Sequence, residues 1–155
     1  MKPATLRLTA IATTITTVMV SIHHIFRLGP ELIVPAIVIV TLPIALIVWL
    51  KKSGRQLALW FLATVNALIF AWFGLLDGIL DHVLKALGAD NLTVLPGSDA
   101  HVVATVYSLW SPEASNLFYE GTGLVQAAAS VAMIALTVRL VVEYIRARRS
   151  TTARA

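Results

Sequence analysis

The sequence contains no cysteine. That excludes disulfide cross-links, thiol redox chemistry and thiolate ligation of metals. Charge is scarce as well: Asp, Glu, Lys and Arg make up 13% of the 155 residues, about half of the roughly 25% found in a soluble domain. So little charge cannot cover a water-facing surface. Thioethers are few, with Met1, Met19 and Met133 the only methionines, which disfavours a soft Cu(I) site. No internal repeat is evident, and the two halves differ in polar content and loop length. That gives no support to an inverted-repeat transporter.

What the chain has instead is apolar length. Hydrophobic residues make up 58% and the mean hydropathy is +0.84. Several runs approach the ~20 residues that cross a bilayer core as a helix. The fold class is therefore all-α: a single integral membrane four-helix bundle with approximate spans 6–28, 31–50, 56–76 and 121–142. One long loop, 83–119, joins helices 3 and 4, and a basic tail without fixed structure covers 146–155.

The first run is long for a signal peptide. It lacks a small-residue cleavage pattern and is followed by His23, His24 and Arg27, then the turn Gly29-Pro30, so it reads as an uncleaved helix. Thr13, Thr17 and His24 form a stripe on it, as on a face packed against other helices. The second run has Pro35 and Pro43 and one hydroxyl, Thr41. It offers no chemistry and reads as the peripheral, lipid-facing member. The third runs from Gln56 to Leu76 and can continue as helix to Leu87, with Gly88 as C-cap. Between residues 89 and 119, Leu95 to Asp99 is turn chemistry, 101–110 is apolar but too short to span, and His101 reads as a surface histidine. Ser111-Pro112-Glu113 is a helix start.

Charge sets the orientation. Four spans put both termini on one side, together with ten of the twelve basic residues: Lys2, Arg7, Lys51, Lys52, Arg55, Arg139, Arg146, Arg148, Arg149 and Arg154. The positive-inside rule makes that side cytoplasmic, so the reading is N-in and C-in, a multi-pass protein of the plasma (inner) membrane with loop 83–119 extracytoplasmic. Trp49 and Trp60 fall near the inner boundary and Trp72 near the outer one, as in an aromatic belt. The net charge of +4 does not point to nucleic acid, because the basic residues flank apolar runs. The implied partners are the lipid bilayer, anionic headgroups, and a homo-oligomer or larger membrane complex.

All four histidines and seven of the eight acids fall on the outer side; Glu143 is the exception and pairs locally with Arg139 or Arg146. Chemistry therefore belongs to the outer leaflet, and it centres on Leu75 to His82. Asp77 and Asp81 share a helix face at i, i+4, with His82 about 100° round. Asn66 lies below on the same stripe. Three helices thus bring ionisable groups to one depth, where such groups are costly and face a bundle interior or cavity. The candidate metal ligands are His24, Asp77, Asp81, His82 and Glu120, with His23 as a substitute for His24 and Arg27 as an ion-pair partner. Histidine and carboxylate together suit Zn, Fe or Mn. A b-type haem between a first-helix histidine and His82 is the weaker cofactor reading. The leading functional reading is a metal-binding membrane protein, as a metal-dependent oxidoreductase or hydrolase at the outer leaflet. The alternative is a non-enzymatic structural or accessory subunit whose polar cluster locks the helices with no cofactor. A small-solute or proton-coupled permease is the third.

Overall fold

The computed structural model describes residues 2–92 and 110–152. These residues are helical with no strand among them, and four helices are long and apolar enough to cross a membrane. The chain is a multi-pass membrane protein. The sequence readings for 95–99, for His101 and for the apolar stretch before Trp110 lie outside the described residues.

Helix α1 spans Pro3–Leu28 and opens with proline in its first turn, where the missing N–H costs nothing. It ends at Gly29, whose φ of 104° is open only to glycine at low cost and whose N–H donates to Ile25 O at 2.8 Å. A 3-10 turn, Pro30–Leu32, leads into α2, Ile33–Ser53. That helix closes on Gly54 in the left-handed conformation, its N–H donating to Leu50 O at 2.9 Å. Helix α3 is one rod from Gln56 to Ala86, α-helical over Gln56–Ile69 and π-helical over Phe70–Val83. Helix α4 spans Pro112–Thr152. Ser111 caps it: the Ala114 N–H donates to Ser111 Oγ at 3.2 Å and the Ser115 N–H to Ser111 O at 2.9 Å.

Two boundaries differ from the sequence reading. Helix α4 begins at Pro112 and passes through Gly121 and Gly123 unbroken, because continuous i→i+4 bonding and packing outweigh the ~1 kcal/mol that each glycine costs. The same helix runs through Arg146–Thr152, so this part of the basic tail is ordered as helix. At 1.5 Å per residue its 41 residues reach ~60 Å, about twice the hydrocarbon core.

Helix α2 is peripheral: 22% of its most apolar window is buried, against 44% for α1. Helix α1 packs mainly on α4 and α2, and α4 also packs along the π-helical part of α3. The threonine stripe of α1 is interior, with Thr5, Thr9, Thr13, Thr16 and Thr17 all buried. Burial is cheap because the hydroxyls are satisfied within the helix: Thr9 donates to Thr5 O at 2.8 Å, Thr16 to Ala12 O at 2.8 Å and Thr17 to Thr13 O at 3.0 Å. At mid-depth the Asn66 amide donates to Thr13 Oγ1 at 3.1 Å and to Thr137 Oγ1 at 2.9 Å, joining α1, α3 and α4. At the α1 N-terminal end Glu143 accepts from the Lys2 N–H at 3.0 Å, from Thr5 Oγ1 at 2.9 Å and from Arg139 Nε at 3.2 Å. An apolar cluster of Leu6, Leu50, Leu59, Leu62 and Leu140 fills the space beside it.

Small residues let α3 and α4 touch backbone to backbone, as membrane helices do. A Cβ on Gly78 would lie 2.9 Å from Ala127 Cβ and 3.0 Å from Ala127 Cα, and one on Gly74 would overlap Ser130. Gly121 meets nothing within 4 Å. Gly78→Val should therefore lower stability by roughly 1–3 kcal/mol through overpacking, whereas Gly121→Ala should hold or raise it. Thermal unfolding in detergent compares the two, and equal melting temperatures would show that this contact does not limit the packing.

Candidate metal centre

The π-helical segment sets the geometry of the site. Its buried residues are Gly74, Asp77, Gly78, Asp81 and His82. In i→i+5 winding a turn takes more residues than in an α-helix. Asp77 and His82, five apart, therefore face the same side. An α-helix would have turned His82 well away from Asp77. The extended π winding is what brings the imidazole to the carboxylate.

Asp77 sits at the middle. Its Oδ1 accepts from Arg27 Nη1 at 2.9 Å, and its Oδ2 accepts from Gln126 Nε2 at 2.8 Å. Gln126 gives its other N–H to Phe73 O at 2.7 Å. All three partners are within the bundle, with Arg27 and Asp77 each 2% exposed and Gln126 fully buried. Arg27 also lies over the Tyr119 ring, 5.6 Å from its centroid. The carboxylate is thus neutralised by a guanidinium and held by an amide from a third helix. Two imidazole nitrogens complete its surroundings: His24 Nε2 at 3.6 Å and His23 Nε2 at 3.8 Å from Oδ2.

The partners of the other ring nitrogens assign the hydrogens. His82 Nδ1 meets Glu120 Oε2 at 2.9 Å, and His24 Nδ1 meets Val20 O at 2.9 Å. A carboxylate and a carbonyl can only accept, so both nitrogens carry hydrogen. His23 Nδ1 meets Thr122 Oγ1 at 2.9 Å. The Thr122 hydroxyl already donates to Phe118 O at 2.8 Å, with Tyr119 O at 3.0 Å, so it accepts from His23. With hydrogen on Nδ1, each ring turns its Nε2 to the interior. His23 Nε2 and His82 Nε2 face each other at 3.2 Å. Two lone pairs at that distance repel, and either a shared proton or a metal ion between them relieves the contact.

The rings are fixed in place. His23 stacks on Tyr119 with centroids 4.6 Å apart, and His82 meets the same ring edge-on at 4.9 Å. The His82 ring also lies flat against Gly123, where a Cβ would stand 2.6 Å from Nε2 and closer still to the ring carbons. Glycine is required there for the close approach.

His23, Asp77 and His82, all buried, offer ligand atoms within 4.8 Å of one another. Of the sequence candidates, Asp77 and His82 belong to this trio. The first-helix member of the trio is His23, while His24 lies beside it with Nε2 3.6 Å from Asp77 Oδ2. Glu120 is brought to the site but faces His82 Nδ1 and the Lys85 ammonium rather than the gap. Asp81 is buried beside it and accepts from Asn91 Nδ2 at 2.6 Å, tying down the chain after α3. Arg27 pairs with Asp77, where the sequence left Asp77, Asp81 and Glu120 open as its partners.

Sequence reasoning missed Tyr119, Thr122 and Gln126. Their signal was present: Tyr119, Thr122, Gln126, Ser130, Met133 and Thr137 recur at helical spacing along α4, and all are buried. Reading the helix as starting at Gly121 cut off the first of them.

Arg27→Met should destabilise the protein by about 3–5 kcal/mol, the usual cost of leaving one member of a buried pair uncompensated. Arg27→Met/Asp77→Asn should recover much of that loss. Melting temperatures of the two variants decide it, and additive losses would mean that the pair is not coupled.

Comparison with protein families, with curated proteins and with solved structures finds no match.

Proposed function

We propose that this protein binds a divalent first-row transition metal, zinc, iron or manganese, through His23 Nε2, His82 Nε2 and Asp77 Oδ2. In this reading the centre lies at the outer leaflet of the plasma membrane, with both termini in the cytoplasm, in accord with the basic residues at one end of the bundle. The observation that carries it is the approach of His23 Nε2 and His82 Nε2 to 3.2 Å. Two metal–nitrogen bonds of about 2.0–2.1 Å at a tetrahedral angle put their nitrogens about 3.3 Å apart. The Asp77 edges are wider, 3.8 Å from His23 and within 4.8 Å from His82, so the carboxylate would move inward to complete the set. Each histidine has its outer nitrogen held by an acceptor, the arrangement that orients imidazoles towards a metal and raises their basicity. The close nitrogen pair, enclosed by Tyr119 and Gly123, suits an ion better than a haem macrocycle. Three protein ligands leave a further coordination position, as in catalytic rather than closed structural sites. A metal-dependent membrane enzyme is therefore the favoured form of this reading.

One observation favours a second reading. The Arg27–Asp77 pair neutralises the carboxylate without any metal, and a proton shared by His23 and His82 would relieve their lone pairs equally well. The cluster would then be a lock between α1, α3 and α4 in an accessory subunit.

Elemental analysis separates the two. Protein purified without chelators should carry close to one metal per chain. His23→Ala and His82→Ala should each lose it, while Asp81→Asn and the distant Arg139→Ala should keep it. Metal-free protein whose melting temperature is unmoved by added zinc, iron or manganese would establish the lock instead.

A further inference from the structure

A groove of about 460 Å³ runs between the start of α1 and the later turns of α4, lined by Lys2, Arg139, Val142, Glu143, Arg146 and Ala147. The α4 members recur at i, i+3, i+4, i+7 and i+8, so they share one face of that helix. Lys2 meets them from α1, where its N–H donates to Glu143 Oε2 at 3.0 Å. The turn between α2 and α3 lies at the same level, since the Tyr144 hydroxyl donates to Gly54 O at 3.2 Å. Three of the four spans begin or end there, and α4 runs past. The groove therefore sits where hydrocarbon gives way to headgroups.

Its charge is unbalanced. Three cations line it against one carboxylate, a net charge of +2. Both Glu143 oxygens are already engaged: Oε1 accepts from Thr5 Oγ1 at 2.9 Å and from Arg139 Nε at 3.2 Å, and Oε2 from the Lys2 N–H. The Lys2 ammonium and the Arg146 guanidinium have no hydrogen-bond or ion-pair partner among the described residues. Arg139 gives one N–H to Glu143, and its guanidinium has further donors. From the groove an apolar stripe leads along α4 towards mid-membrane. Val142, Val138, Ala135 and Val131 follow one another at helical spacing, and all four are exposed on the outside of the bundle.

We infer that this groove binds the phosphate headgroup of an anionic phospholipid whose acyl chains lie along the Val131–Val142 stripe. A phosphate diester supplies the acceptors that Lys2 and Arg146 lack, with arginine suited to bidentate contact and lysine acting as a point charge. The juxtaposition of cations and apolar stripe selects this occupant. A soluble anion would use the cations and leave the stripe idle. A zwitterionic headgroup would bring an ammonium to a lining that is already positive. The bound lipid bridges Lys2 and Arg146, so it ties the start of α1 to α4 beside the contact that Glu143 makes. This inference is independent of the metal reading and of which face of the membrane holds the termini.

The test uses the full chain in a non-ionic detergent, titrated with dioleoyl phosphatidylglycerol, with dioleoyl phosphatidylcholine and with inorganic phosphate. Native mass spectrometry counts bound lipid, and thermal unfolding reads its effect on the fold. Phosphatidylglycerol should bind saturably, about one per chain, roughly tenfold more tightly than phosphatidylcholine. It should raise the melting temperature, as binding to the folded state requires, and inorganic phosphate at the same concentrations should not. Lys2→Gln/Arg146→Gln should weaken phosphatidylglycerol binding roughly twentyfold, about a factor of five per basic residue. Lys51→Gln/Lys52→Gln removes the same charge at the same end of the bundle but outside the groove, and should leave the affinity within about twofold. All four side chains are exposed, so both variants should unfold at the wild-type temperature without lipid. Equal weakening by the two double variants would mean diffuse attraction and overturns the site. Equal binding of the two lipids overturns it as well. Inorganic phosphate that matches the phosphatidylglycerol shift would overturn the lipid as occupant in favour of a soluble anion.

Discussion

A carboxylate with no water to solvate it organises this bundle. Asp77 lies where each charge must be matched inside the protein, because hydrocarbon offers no compensating hydrogen bonds. Arg27 from α1 and Gln126 from α4 meet it from two directions. That requirement fixes how α1, α3 and α4 stand relative to one another at this depth. Asn66 applies the same rule at mid-membrane, again across three helices. Helix α2 carries no such group, and it is the least buried of the four.

Close packing allows these polar contacts to form. Gly74 and Gly78 admit Ser130 and Ala127, and Gly123 admits the His82 ring. Without side chains at these points α3 and α4 approach far enough for Gln126 to reach both Asp77 and Phe73 O. The π winding of α3 makes the complementary adjustment along its own axis. It presents Asp77 and His82 to one side at the cost of regular α bonding, an exchange found mainly where function demands it. The outer nitrogens of three imidazoles are then held by Glu120, Thr122 and Val20 O. The result is a set of inward-facing nitrogens next to a carboxylate that is already paired with Arg27.

Composition and periodicity were enough to establish four apolar helices, a peripheral α2, an interior threonine stripe and a cluster around Leu75 to His82. These features follow from transfer free energies and helical spacing, which act locally and are written directly in residue order. Arg27 was legible as an ion-pair partner for the outer acids, but the choice of Asp77 over Asp81 and Glu120 was not. The choice of His23 over His24 as the partner of His82 was not legible. Both are buried, and α1 alone does not say which of the two meets Thr122 and Tyr119.

By itself, then, the sequence determined the class of protein, four helices long and apolar enough to cross a membrane, because hydrophobic length depends on composition. Only the tertiary structure decided the geometry of the His–Asp–His cluster. Winding α3 as a π-helix turned His82 towards Asp77, and a helix starting at Pro112 brought Tyr119 and Thr122 into register with His23. Glu120 and Asp81 were drawn off to Lys85, His82 and Asn91. Each of these outcomes rests on contacts between residues tens of positions apart, and it is the close approach of α3 and α4 that determines which of them can form.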